Sequence, residues 1–540
     1  MLQIAPALLL AAPALLCAAI PPPAPLPATR KITPGPVAPN WPSLEAHYQC
    51  PEWFRDAKFG IWAHWSAQSV PEQGDWYARN MYIQGTPQNR YHVAHYGHPS
   101  EFGFMEIDHR WTAAHWDPEA LMELYVAAGA RYFVALANHE DNFDTYNSKY
   151  QAWNAVNVGP HRDIIGTWEK VAREHGLRFG VSNHSSHAWH WFQSAYGYDP
   201  EGPKAGVRYD AYRLTKADGK GKWWDGLDPR DLYGKPAIVM PDGITTIAAA
   251  QAWQVAHTLP WTEDPPPHDP EFANKWFFRA QDLIDKYDPD FLYLDNTGLP
   301  LGQVGLDLAA DYYNTALARH GGRLDRVLTA KGLHDQRRTA VTLDFERTVP
   351  AGLMAEPFEA STCIGDWHYR RDITYKTVGQ VVRILTDVVS KNGTFLLSIP
   401  IRGDGTIDNR EVAILHGIAA WTKVNGEGIY GSRPWTRFGE GPTVVPRGRA
   451  ADSPLPYTPQ DFRFTTNRGH LYVFEMAPPT AEVRIQSLGL GEAGARRVAD
   501  VEVVGSGEKL RWRQDAGALT IEKPDRLPCA DVCSYRVTFQ

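Results

Sequence analysis

Asp295 closes the apolar run Phe291-Leu292-Tyr293-Leu294 and leads into the turn-like Asn296-Thr297-Gly298. His64 follows residues 58–63, His139 and Glu140 follow residues 132–137, and His184 follows residues 177–182, each run apolar or β-branched. Lys331 ends Val327-Leu328-Thr329-Ala330, and Glu346 ends residues 340–345. Carboxylates, imidazoles and an amine are the side chains that transfer protons or attack as nucleophiles. A carboxylate at the C-terminal tip of a buried strand is where a parallel α/β barrel places reacting groups. Taken singly, Asp295 reads equally well as an acid that starts a loop or caps the next helix. Six runs that end alike point instead to one polar face.

Positioning six strand ends on one face requires a parallel sheet, and a parallel sheet requires crossover helices. The segments between the runs have helical spacing. Residues 118–130 open on Asp117-Pro118, an N-cap and first-turn pair, and close at Gly129. Residues 164–175 stop at Gly176, residues 306–320 at Gly321-Gly322, and residues 378–391 before Gly393. Residues 272–287 carry Phe272, Phe277, Ala280, Ile284 and Tyr287 on one stripe. The fold class is therefore α/β, a (β/α)8-type barrel over residues 45–438, longer than the typical ~250 residues and with room for long loops. Residues 193–258, rich in Tyr, Gly, Asp and Lys and without a sustained period, read as an insertion that walls or covers the catalytic face. From residue 439 to 540 the texture changes to short alternating runs at 470–475, 481–487, 497–504, 519–522 and 534–539, the pattern of a small β-sandwich with a structural role.

The N-terminal 20 residues read as a cleavable signal peptide, with an apolar stretch from Ala5 to Ile20 too short to span a bilayer. Residues 21–44 read as a Pro-rich linker. A periplasmic or secreted location follows, with no membrane span. Cys17 follows Leu16, a poor fit to lipid attachment, and Cys529 and Cys533 are spaced for a small disulfide loop without proving one. The formal charge of −8, with no Lys/Arg run, argues against a nucleic-acid partner. His184, His187 and His190 lack the supporting spacing of a metal site, so no metal and no organic cofactor is expected. The 20 Trp and 24 Tyr suit both a core and the apolar faces of sugar rings.

Several segments resemble glycoside hydrolase family 29, the α-L-fucosidases. They are residues 53–65 (Trp-Phe-Arg-Asp-Ala-Lys-Phe-Gly-Ile-Trp-Ala-His-Trp) with Ser69-Val70-Pro71 and Asp75-Trp76-Tyr77, Ala128-Gly129-Ala130-Arg131-Tyr132, Gly159-Pro160-His161-Arg162-Asp163, residues 390–400 and residues 424–431. They span nearly the whole barrel in the family's order.

The resemblance implies a retaining, exo-acting hydrolase of terminal α-L-fucosyl residues on an oligosaccharide or glycoconjugate, with Asp295 as nucleophile at the end of the fourth barrel strand. Its acid/base partner is Glu346, favoured by the strand-end pattern, or Glu359, which resembles the family's acid/base Glu after an aromatic residue. The resemblance places His64, Trp65, Asp75, Trp76, His139 and Tyr293 around the sugar, and topology adds Glu140, His184 and Lys331. The family's second adjacent His is here Glu140, and a usual Lys is here Asn138. Those departures leave room for a related α-L-glycoside such as an α-L-galactoside. A barrel that binds sugar without cutting it is the contrasting expectation.

Overall fold

The computed structural model describes residues 19–260, 270–333, 335–445 and 454–540; most of the expected signal segment, including Cys17, lies outside them. Eight parallel strands close into a barrel in sequence order: β1 Phe59–Ala63, β2 Tyr132–Asn138, β3 Arg178–Asn183, β4 Phe291–Thr297, β5 Val327–Lys331, β6 Thr342–Glu346, β7 Phe358–Cys363 and β8 Gly393–Ser398. β8 returns to β1, pairing Leu397 with Ile61 and Ser398 with Trp62.

The barrel is filled, not hollow. Trp62, Tyr132, Val134, Phe291, Tyr293, Val327 and Leu396 form one buried cluster inside it. Gly60 on β1 makes room for this filling, because a Cβ there would meet the Tyr132 ring at 2.3 Å. Outside, helices Pro118–Ala127, Ile164–Glu174, Pro270–Tyr287, Gln303–Arg319, Val378–Ser390 and Asn409–Asn425 cover the strands. Asp117, Asp163, Thr377 and Asp408 cap four of them by accepting a hydrogen bond from a first-turn N–H.

The helical cover is uneven. Among the described residues only the 3₁₀ turn Asp335–Thr339 lies between β5 and β6, and residues 347–357 join β6 to β7 without a helix. The outward-facing Leu343 and Phe345 of β6 are half-buried as a result. On β2 the outward-facing Phe133 is fully buried against Trp168 of a covering helix, with ring centroids 4.8 Å apart.

The C-terminal region is a sandwich of two antiparallel sheets that share one core. The five-stranded sheet runs β13-β16-β11-β10-β9 and the three-stranded one β12-β15-β14, with β9 Arg433–Glu440, β10 Phe462–Asn467, β11 His470–Glu475, β12 Val483–Ile485, β13 Val498–Val503, β14 Trp512–Gln514, β15 Leu519–Ile521 and β16 Cys533–Phe539. It begins at Arg433, ahead of the expected start at residue 439, since β9 pairs with β10. The four described cysteines are free; Cys529 Sγ accepts a hydrogen bond from Asn425 instead of bonding Cys533.

Two stretches of irregular sequence are ordered against the barrel. The Pro-rich segment is not a free linker but a strap bound along the barrel. Ile20 N–H donates to the Asp225 carbonyl (2.8 Å), Ala24 N–H to Lys149 (2.9 Å) and Thr33 N–H to the Asp311 carboxylate (2.7 Å), while Asn314 holds both backbone groups of Val37. Proline-rich chain leaves few N–H groups to satisfy, and side chains of the helix beneath it supply the partners. Residues 193–258 are a packed wall: Tyr209, Trp224, Leu227, Leu232 and Tyr233 are buried, and Tyr82 and Tyr233 both donate to Asp210 (2.8 and 2.6 Å). Apart from the helix Ile247–Thr258, their helical turns are at most five residues long, too short to show a period.

Candidate active site

A cavity of about 500 Å³ opens at the C-terminal ends of the barrel strands. Trp62, His64, His139, Glu140, His184, Tyr293, Asp295, Lys331 and Glu346 line it from β1 to β6. Asp75 and Trp76 enter from the loop after β1, and Asp366 and Trp367 from the loop after β7. The two loops are clasped together: Gln73 bridges to Arg370, and Gly74 (φ +78°) comes so near that a Cβ there would meet the Asp366 carboxylate at 2.5 Å.

Asp295 and Glu346 share one cation. The Lys331 ammonium, on the strand between theirs, donates to both carboxylates, and His184 Nδ1 lies 3.2 Å from the other Asp295 oxygen. Desolvation in the cleft would raise the Asp295 carboxyl, but Lys331 and then His184 overcome it and hold Asp295 well below the usual carboxylate range. Burial would likewise lower Lys331, and Asp295 and Glu346 instead raise it well above an ordinary lysine. Asp295 is therefore ionised at any pH near neutral.

The opposite wall is a network of imidazoles and acids. His139 touches the Glu140 carboxylate, lies 3.7 Å from Asp75 and accepts or donates a 3.0 Å hydrogen bond with Gln68. Burial opposes its charge, yet Glu140 and Asp75 push its pKa up to about 10. His368 bonds Asp75 (2.6 Å) and Ser66 (3.0 Å), while burial takes His368 down to about 4 and His64 well below its ordinary value. One imidazolium thus sits among neutral imidazoles. The nitrogen and oxygen atoms of Asp75, His139 and His368, and those of His139, Glu140 and His184, lie within 4.8 Å of one another, close enough for a metal, and hydrogen bonds to Ser66, Asp75 and Gln68 account for the placement of the first group.

The loop carrying His139 and Glu140 is anchored from below. Arg279 donates to Asp144 (3.0 and 2.6 Å) and to Asn142 (2.5 Å), all buried. Asn138 donates to Asp144 (2.9 Å) and accepts from the His184 and Ser185 N–H groups (both 3.2 Å), tying the β2 end to the β3 end.

Two expected residues do not reach the cavity. Trp65 is buried behind it, its indole N–H donating to the Arg402 carbonyl (2.8 Å) and its ring edge-on to Trp111 at 5.1 Å. The chain turns at the end of β1, which sends the side chain after His64 into the loop packing. Glu359 lies inside the barrel: Glu346 is in register with Ser361, so Glu359 sits two residues, about 7 Å, further down β7. It is fully buried with neither oxygen hydrogen-bonded, and burial, then the neighbouring Asp344, raises its pKa far above the ordinary value. Asp344, brought up to about 7 by burial against the pull of Lys331, accepts from Tyr293 (2.7 Å) and Ser361 (2.9 Å). Trp62, Asp366, Trp367 and His368 were not singled out from the sequence. Asp366-Trp367-His368 follows the β7 run as His64 follows β1, and that repeated strand-end pattern was the available signal.

Fold and site together define an α/β-barrel hydrolase site, with an ionised carboxylate at the end of β4 and a second carboxyl beside it in a sugar-sized, aromatic-walled cavity. A family model described as α-L-fucosidase matches residues 26–427, and the chain belongs to that family of glycoside hydrolases. It is 26% identical to the tissue α-L-fucosidase of Rattus norvegicus over 494 residues, covering 90% of this chain and 87% of the relative. It is 25% identical to the plasma α-L-fucosidase of Homo sapiens over 516 residues, 91% and 90% of the two chains. The Thermotoga maritima α-fucosidase, solved with a mechanism-based inhibitor, is similar with a TM-score of 0.67 and 25% identity over 93% of this chain and 99% of that one.

Proposed function

We propose that the protein is a retaining, exo-acting α-L-fucosidase that releases terminal fucose from glycans, with Asp295 as nucleophile and Glu346 as acid/base. The observation that carries this reading is the Lys331 ammonium shared by the two carboxylates. Two oxygens bonded to one nitrogen lie no more than about 6 Å apart, two ordinary hydrogen-bond lengths. That bound admits the ~5–5.5 Å of retaining enzymes and falls below the ~6.5–9.5 Å of inverting ones.

In the first step the Asp295 carboxylate attacks C1 of the bound sugar, the C1–O bond to the leaving group breaks, and the Glu346 proton passes to the departing oxygen. In the second, Glu346 takes a proton from water, the water oxygen bonds C1, and the bond from C1 to Asp295 breaks. Trp62, Trp367 and Tyr293 offer apolar faces to the ring, while His64, His139, Asp75 and Glu140 offer acceptors and donors to its hydroxyls. Glu140 favours a second substrate, an α-L-galactoside, because its carboxylate can accept from an additional hydroxyl. A barrel that only bound sugar would gain nothing from a nucleophile held ionised by a shared lysine.

Asp295→Ala should remove activity on an aryl α-L-fucoside by several orders of magnitude while leaving the circular dichroism spectrum unchanged. Added azide should restore turnover, with a fucosyl azide product, in Glu346→Ala. Rescue in Glu359→Ala and not in Glu346→Ala would reverse the assignment. Proton NMR of the first-formed sugar anomer tests retention, and a paired assay of the two aryl L-glycosides tests the sugar. Export through the N-terminal apolar stretch is part of the proposal; intact-mass analysis of the mature chain checks cleavage. Among the described residues no helix is long and apolar enough to cross a membrane.

A further inference from the structure

A second cavity, of about 690 Å³, lies where the barrel lacks helices, against β5 and β6. Leu333, Leu343, Phe345 and Met354 form its apolar walls, and Thr348 and Arg338 stand with them. Asp344 and Glu346 point into the barrel side of β6, so Leu343 and Phe345 necessarily point the other way, into this space. Lys331 and Glu346 line both this cavity and the catalytic one, whereas Asp295 lines the catalytic cavity alone.

That asymmetry has a chemical meaning. The nucleophile attacks a carbon belonging only to the sugar being removed, and it needs to face only that sugar. The acid protonates the oxygen that joins this sugar to the rest of the glycan, so it must stand where the two halves of the substrate meet. Glu346 is the carboxyl that faces two cavities. We propose that the groove beside β5 and β6 is the leaving-group site, and that it holds the adjoining sugar ring of the glycan by its apolar C–H face. The missing helical cover is what gives that ring a path outward over the barrel rim. This inference rests on Asp295 and Glu346 acting as proposed above.

The walls suit a neutral pyranose. Four aliphatic or aromatic side chains, half-buried and side by side, match the C–H face of a ring. Thr348 and the exposed Arg338 can meet ring hydroxyls at the edges.

The test compares two substrates that share the fucosyl group and differ in what must occupy the groove. α-L-Fucosyl fluoride has a one-atom leaving group that leaves the groove empty; a fucosyllactose isomer that the wild type cleaves fills it. Thr348→Trp, which obstructs the groove from its surface, and Met354→Ala, which removes part of its wall, should each lower kcat/KM on fucosyllactose relative to the fluoride by about tenfold, mainly through KM, the scale of a lost hydrophobic contact. Inhibition by free L-fucose reports whether the catalytic cavity of each variant is intact. An unchanged ratio of the two substrates, in variants that still bind fucose, overturns the groove. Equal loss on both substrates overturns it too, because the effect is then on the shared cavity. A wild type that does not turn over the fluoride refutes the underlying reading of Asp295, an outcome distinct from an unchanged ratio.

Discussion

The two halves of the barrel are built differently. From β1 to β4 every strand is followed by a covering helix, and the strand ends carry His64, bonded to Ser398 (3.0 Å), His139, bonded to Gln68 (3.0 Å), and His184, 3.2 Å from Asp295. From β5 to β6 the helices are absent, and the strand ends carry Lys331 and Glu346, half-buried beside an open groove. The covered half can hold a sugar and a nucleophile rigidly. The open half can admit a leaving group and the water that replaces it. Deeper in the barrel Tyr293 on β4 donates to Asp344 on β6 (2.7 Å), and Lys331 reaches across both regions, joining Asp295 on β4 to Glu346 on β6.

Cutting that link is expected to have the largest effect. Lys331→Met should lower kcat/KM on aryl fucosides by about 10²-fold or more, the scale of losing one preorganised charged donor. With the ammonium gone, the Asp295 carboxyl rises, so the acid limb of the pH–rate profile should move to higher pH. An unmoved acid limb would mean that Lys331 does not govern the nucleophile.

The covered half can be weakened without touching the cavity. Arg279→Met strands the buried Asp144 carboxylate beneath the His139 loop and should cost about 3–5 kcal/mol in chemical denaturation, the scale of a broken buried ion pair. A loss under half of that would mean the loop is held mainly by Asn138 and by Gln151, whose amide donates to the Asn142 carbonyl (3.1 Å).

A smaller effect sharpens the electrostatics of the same half. His139 has a folded pKa of about 10 against 6.5 for a free imidazole, so its charge contributes stability that is complete below pH 6.5 and is lost as pH rises toward 10. Glu140→Gln removes the strongest of the acids that raise it. Thermal unfolding from pH 6 to 10 should then show a loss that still begins near pH 6.5 but ends at lower pH and is smaller than in the wild type.

Below both halves, Glu359 should matter least for turnover. Its proton is held in the folded chain at pH values where the unfolded chain releases it, so the wild type loses stability as pH rises above 4.5. Glu359→Gln keeps the neutral shape. It should leave kcat/KM within about threefold, under 1 kcal/mol of barrier, and should reduce the alkaline loss of stability. A collapse in activity would return Glu359 to the chemistry.

Much of this site was legible because parallel strands announce themselves. Apolar runs ending in Asp295, His64, His139, His184, Lys331 and Glu346 mark both the strands and the face on which they finish. Illegible were the parts whose order is tertiary. Most elements in residues 193–258, the helix Ile247–Thr258 excepted, are too short to carry a period, and Thr33 and Val37 of the proline strap find their hydrogen-bond partners on a helix nearly 280 positions away.

Residue types and continuous apolar runs, both local properties, mark the barrel and its catalytic face, and short motif segments carry the family resemblance. Height along the barrel axis is not local. Glu346 and Glu359 each follow an aromatic residue, and only the β6–β7 register, set by packing across the closed sheet, puts one at the rim and the other in the dry interior. The same closure brings Lys331 between two acids that lie 51 positions apart in the chain, because strands adjacent in a barrel juxtapose residues that the chain itself keeps distant.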